Sequence, residues 1–215
     1  MPVRKIPKNY RNLTGVLSSS KSIGSAQFES TLERDFLSHL EFSPEVQNFE
    51  VQPIVIEWRD AHGARRTYTP DVLVFFSPEV QRPPWLCEVK YRADLKKDWE
   101  VLHPKFRSAI RFAKEKGWRF RLVTEVEIRT AYLNNIRFLM PFRSRVIPET
   151  IKITLLEQLA AAKKTTPASL LRAMSHNEQK QAEWLPIIWH LIAHHRIGVN
   201  LEQFLTMNSE IWEIS

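Results

Sequence analysis

A single cysteine among 215 residues excludes an internal disulfide. That cysteine, Cys87, sits inside an apolar run and reads as a small buried hydrophobe rather than a nucleophile. No apolar stretch approaches the roughly 20 residues of a membrane-spanning helix, and the first residues carry bases without the hydrophobic centre of a secretory signal. A cytoplasmic setting with no membrane partner is therefore expected. No internal repeat is found. The chain does have 43% hydrophobic residues and seven Trp, enough to bury one core or two small ones.

Charge is uneven. Residues 1–150 hold 25 Lys and Arg against 18 Asp and Glu, whereas residues 151–215 hold six of each. The positive surplus points to a polyanion, and Arg65, Arg66, Arg92, Lys96, Lys97, Lys105, Arg107 and Arg111 are candidate DNA phosphate contacts.

Chemistry concentrates in Tyr68-Thr69-Pro70-Asp71 and Glu88-Val89-Lys90. Pro70 fits only the mouth of the strand that continues through residues 72–76, which puts Asp71 where a side chain meets ligand. In the second apolar run, residues 85–91, alternation aims Glu88 and Lys90 to one face, with Cys87 and Val89 on the other. The proline-rich residues 77–84 suit a connection between antiparallel neighbours and would bring Asp71 and Glu88 together. Two clustered carboxylates favour a hard divalent ion such as Mg2+, with Mn2+ as substitute, and Lys90 suits charge developing on a phosphate. A lone Glu-x-Lys on a strand is commonly a solvated pair. Here each polar group interrupts an apolar strand, and carboxylates placed there require a partner.

A third acid comes from upstream. Phe28, Leu32, Phe36 and Leu40 recur at helical spacing, predicting an amphipathic helix over residues 28–40 capped by Ser25. Glu29 and Glu33 lie on the border of its apolar stripe, and either can reach a site beside the sheet.

Taken together, Ser30-x-Leu32-Glu33-Arg34-Asp35-Phe36-Leu37, Phe49-x-Val51-Gln52-Pro53, Arg66-x-Tyr68-Thr69-Pro70-Asp71, Glu88-Val89-Lys90 and Thr124-Glu125-x-Glu127-Ile128-Arg129 resemble TnsA, the endonuclease subunit of heteromeric, Tn7-like transposases. The resemblance runs to about residue 140. It implies a restriction-endonuclease-like α/β core with a mixed sheet, of the PD-(D/E)xK class, in which Glu33, Asp71, Glu88 and Lys90 are catalytic and the three acids hold the metal. Some members carry glutamine where this chain has Glu88. Gln52 falls in the family's Gln-Pro motif, and Glu29 is the reserve acid for Glu33. The resemblance further implies cutting at the 5′ ends of a mobile element, beside a DDE-type transposase acting on the 3′ ends and an AAA+ ATPase regulator. Two rivals stand: a stand-alone structure-specific nuclease of junction-resolvase or restriction type, and a non-catalytic winged-helix DNA-binding adaptor.

The organisation expected is a basic flexible arm (1–24), a nuclease domain (25–145) and a winged-helix-like domain (150–215), joined by a proline-bounded linker over residues 141–148. Residues 50–58 read as one strand, 99–116 as a helix stopped at Gly117, 118–124 as a strand and 125–133 as a helix. Beyond the linker, helices are expected around residues 153–160, from Pro167, and over 178–195 with Pro186 kinking or restarting it. Residues 196–201 and 211–214 would pair as a wing. The balanced charge of this half favours docking over autonomous DNA reading. His190 and His194 lie one helical turn apart but lack the glutamate of a zinc-protease motif.

Overall fold

The computed structural model describes residues 13–60 and 62–214; the first twelve residues of the expected arm lie outside the described residues. Two compact units meet between Arg129 and Thr130.

In the first unit, β1 (Gly15–Leu17) pairs antiparallel with β2 (Ala26–Phe28), and α1 (Thr31–Phe42) follows. The helix starts later than its periodicity predicts. Ser30, extended in backbone, is the N-cap, and its hydroxyl accepts from Glu33 N. Phe28 belongs to the apolar pattern but packs from a strand. The Ser-rich segment up to residue 24 is also not an arm where it is described, because the buried carboxylate of Glu41 gathers the Ser19 and Ser20 hydroxyls at 2.5 and 2.7 Å.

Next come β3 (Val46–Val51), β4 (Ile56–Arg59), β5 (Arg65–Tyr68), β6 (Val72–Phe76) and β7 (Trp85–Val89). They are followed by α2 (Arg92–Lys97), α3 (Trp99–Glu115), β8 (Arg119–Val123) and α4 (Glu125–Ile128). The central sheet runs β3-β6-β7-β8; only β7 and β8 are parallel, so it is mixed. The single strand expected over residues 50–58 is broken. Gln52 adopts a left-handed backbone, φ 48°, and Pro53 has no N–H to donate, so β4 leaves to form a separate hairpin with β5. Leu73 and Leu86 pack with Ile56, Tyr68 and the Phe106, Ala109 and Ala113 stripe of α3, while α1 packs on β3 and β7. Both faces of β7 are thereby covered.

The second unit contains α5 (Ala131–Arg143), α6 (Glu149–Ala162), β9 (Lys164–Thr165), α7 (Pro167–Met174), α8 (Glu178–Ala193), β10 (Ile197–Val199) and β11 (Ile211–Glu213). The helix expected over residues 125–133 is two elements, with Arg129 ending α4 and Thr130 capping α5. Because α5 packs on α8 and runs through Pro141, the division precedes the anticipated linker. Pro186 is likewise carried inside one helix. The expected two-stranded wing is a three-stranded sheet, β10-β11-β9, the third strand being two residues long. Among the described residues, no helix is long and apolar enough to cross a membrane.

Candidate active site

Strand register sets the centre of the site. Val72 pairs with Cys87 across β6 and β7, so one step outward Asp71 stands opposite Glu88, and opposed residues of an antiparallel pair share a face. Asp71 N donates to Cys87 O at 3.1 Å, and Asp71 Oδ2 accepts from Val89 N at 2.6 Å. Pro70 leaves this mouth of the strand without a competing N–H donor. Glu88 is buried at 1% exposure, and both its oxygens are engaged: Tyr68 Oη donates to Oε2 at 2.6 Å, and Lys105 Nζ stands 3.3 Å from Oε1. Lys90 Nζ lies 3.7 Å from the same oxygen.

Glu33 reaches this group from the first turn of α1. Its Oε2 accepts from Glu29 N at 2.8 Å, and its Oε1 accepts from the Ser30 hydroxyl at 2.9 Å, so the same carboxylate also caps the helix. The reserve acid Glu29 is held by Gln52, whose Nε2 donates to Glu29 Oε1 at 3.0 Å; Gln52 Oε1 is buried without a hydrogen-bond partner. Glu29, Ser30, Glu33, Lys90, Tyr91 and Asp94 contribute to the wall of an open cleft of about 490 Å³.

The electrostatics follow from crowding. Withdrawal from water, then the charge of Glu88, push the Asp71 carboxyl well above the usual range. Burial also raises Glu33, against the opposing hydrogen bonds from Glu29 and Ser30. Burial alone would lower the Lys90 ammonium, but Asp71, Glu88 and Glu33 together outweigh it and hold its pKa above normal. Four groups predicted from sequence thus lie within electrostatic reach of one another. Cys87, fully buried, has its thiol pushed up by desolvation and by Asp71, as befits an inert side chain.

The proposed DNA contacts are spread more widely. Arg65 and Arg66 are exposed on β5, with Arg66 Nε 2.9 Å from Asp60 Oδ2; Arg92, Lys96 and Lys97 are exposed on α2, and Arg107 and Arg111 on α3. Lys105 departs from this set, since it turns inward to Glu88 and lies over the Tyr68 ring. The donor role of Tyr68 toward Glu88 and the inward turn of Lys105 escaped sequence reasoning. The available signal was a lysine next to Phe106, on the border of α3's apolar face.

The remaining motif residues of the first unit have structural partners. Thr124 and Glu127 form a capping box, with Thr124 N donating to Glu127 Oε2 at 2.9 Å. Arg129 Nε pairs with buried Asp35 at 3.1 Å, and its Nη2 donates to Tyr91 Oη at 3.0 Å. In the second unit, His190 Nδ1 and His194 Nε2 meet the carbonyl oxygens of Phe142 and Arg143 at 2.9 and 3.1 Å.

The donor set fits a hard cation. Glu33, Asp71 and Glu88 offer only oxygen, and burial first, then the charges of Glu88 and Glu33, raise the Asp71 carboxyl against the opposing Lys90. Among the described residues, no three acidic, histidine or cysteine side chains form a ready-made metal cage.

Comparison with known families divides the chain much as the structure does. Residues 43–125 match the TnsA-like endonuclease N-terminal domain, and residues 127–201 match the TnsA endonuclease C-terminal domain. Asp71, Glu88 and Lys90 fall inside the first match, whereas Glu29 and Glu33 precede it. The comparison with curated proteins gives no match. With the two domains in order over most of its length, the chain belongs to the TnsA family of transposase endonucleases.

Proposed function

We propose that the protein is the divalent-metal-dependent DNA endonuclease subunit of a Tn7-like transposase, that its first unit is a restriction-endonuclease-like PD-(D/E)xK core, and that its second is winged-helix-like. The observation that carries this reading is the convergence of Asp71, Glu88 and Glu33 on Lys90 at one end of the two inner strands of a mixed sheet. Family membership supplies the class of reaction, and the positive surplus of the first unit suits a DNA substrate.

Asp71, Glu88 and Glu33 would hold Mg2+ or Mn2+, which supplies charge neutralisation and an activated water when bound. Lys90 would donate to a non-bridging phosphate oxygen and offset charge as the water oxygen bonds to phosphorus. The phosphorus–oxygen bond to the leaving strand breaks, and that oxygen takes up a proton. Tyr68 and Lys105 hold the Glu88 carboxylate in place. Within a transposase, the cuts fall at the 5′ ends of the element, alongside a DDE-type subunit and an AAA+ regulator, in the prokaryotic cytoplasm.

The direct test is cleavage of duplex DNA carrying element ends, with and without Mg2+ or Mn2+, by the wild type and Glu88→Ala. Metal-dependent cutting that disappears in the variant while DNA binding persists is the expected result. DNA binding without cutting by either protein, with or without the ions, would instead leave the non-catalytic adaptor.

A further inference from the structure

Glu88 is held by donors of two kinds. Tyr68 Oη, a neutral donor, stands 2.6 Å from Oε2, whereas the Lys105 ammonium stands 3.3 Å from Oε1 and the Lys90 ammonium 3.7 Å from that same oxygen. At 1% exposure the carboxylate has almost no water to share, so without a metal its charge is answered by these two lysines. A hydroxyl on Oε2 takes up one lone pair and sets no net charge against a cation. An ammonium on Oε1 opposes any second positive charge directly.

The two lysines differ in what else they hold. Lys90 feels Asp71 and Glu33 as well as Glu88, so it keeps acidic partners whatever happens at Oε1. Among the described residues, Glu88 is the one carboxylate paired with Lys105. Lys105 reaches it from α3, and its Nζ lies 4.6 Å from the centre of the Tyr68 ring and 5.3 Å from that of Phe106. Those ring faces attract an ammonium on their own account. The lysine side chain is also 21% exposed, and its stem is flexible. Lys105 therefore has somewhere to stay when its carboxylate is taken.

We propose that Lys105 is an exchangeable counter-ion of Glu88: it neutralises the carboxylate in the metal-free protein and gives up Oε1 to a divalent ion, while Tyr68 keeps Oε2. This rests on the reading that Asp71, Glu88 and Glu33 hold such an ion. It adds that a lysine of α3, outside the acidic set, opposes metal uptake and so helps to set the affinity. Tyr68 and Lys105 both steady Glu88 in the empty site, but they act on metal binding with opposite signs.

The test is Mn2+ binding to the full chain without DNA, read as free Mn2+ by electron paramagnetic resonance. Lys105→Gln and Lys105→Met both remove the charge; the first keeps an N–H donor and the second keeps an apolar stem. Each should bind Mn2+ roughly 5–50-fold more tightly than the wild type, a span typical of coupled sites. Lys105→Arg, which retains the charge, should stay close to the wild type. In the wild type itself, limiting acetic anhydride should acetylate Lys105 several-fold faster with Mn2+ than without, read by peptide mass spectrometry, because the amine is no longer paired with Glu88. Unchanged or weaker Mn2+ binding in the two uncharged variants would mean that Lys105 only steadies Glu88, and it overturns the proposal. Acetylation that Mn2+ leaves unchanged or slows overturns it too, and that outcome depends on no variant folding. Failure of the metal reading registers differently, as Mn2+ binding that Glu88→Ala leaves intact.

Discussion

At the scale of single residues, the site holds more negative charge than its two lysines quiet. The Asp71 carboxyl titrates high because it is enclosed and then because Glu88 is beside it. A carboxyl raised on folding contributes stability that is complete below its unfolded pKa of about 4 and is lost as pH rises through the folded value. Without divalent ions the wild type should therefore lose stability on going from acid towards neutral pH through this group. Asp71→Asn should remove that loss and stabilise the neutral protein by about 0.5–2 kcal/mol, as relief of a strained functional site commonly does. Melting curves against pH in chelator check this, and identical pH profiles for the two proteins would refute it. Mg2+ or Mn2+ should raise the melting temperature of the wild type more than that of the variant. Tyr68 makes a second prediction: in Tyr68→Phe, Glu88 Oε2 loses its 2.6 Å donor. The change should cost about 1–3 kcal/mol in stability and about 10–100-fold in metal affinity or cleavage, measured by denaturation and by metal titration of activity. Unchanged metal dependence would show that Tyr68 serves packing alone.

At the scale of elements, Ser30 joins helix formation to the site. Its hydroxyl caps α1 through Glu33 N and donates to Glu33 Oε1, so Ser30→Ala should lower stability by about 1 kcal/mol and also weaken cleavage by freeing Glu33. Ser30→Thr should restore both. Loss of stability with full cleavage would mean that Glu33 acts only as a cap, leaving Glu29 as the third acid. The placement of Asp71, Glu88 and Lys90 was legible because strand alternation and a strand-opening proline are written in residue types. The start of α1 was not, since Phe28 continues the helical period although its backbone pairs with β1. Nor was the break after β3, because a left-handed glutamine leaves no mark of the kind glycine leaves. Strand β9 is two residues long and exists through its pairing with β11, which local pattern does not encode. Lys105 reads from sequence as a DNA phosphate contact because its partner, Glu88, becomes its neighbour only when α3 packs on the sheet.

At the scale of the whole molecule, the sequence showed the direction of the charge asymmetry but misplaced its boundary. Proline clustering suggested a linker near residue 145, whereas packing of α5 on α8 draws three arginines into the second unit. Each chain nevertheless carries a single opposed Asp71 and Glu88 pair, and one such centre can act on one phosphodiester at a time. A chain acting alone should therefore convert supercoiled plasmid to open circles, with linear DNA arising only later from independent nicks on the other strand. Addition of a DDE-type transposase should redirect those nicks to the 5′ ends of the element and link the cuts at its two ends, because two copies are then held on one DNA. Gel analysis of plasmid topology, with strand-specific mapping of the cut positions, reads both outcomes. Immediate linearisation by the isolated chain at sites unrelated to element ends would favour a restriction-type enzyme. Preferential cutting of branched DNA without the partner would favour a junction resolvase.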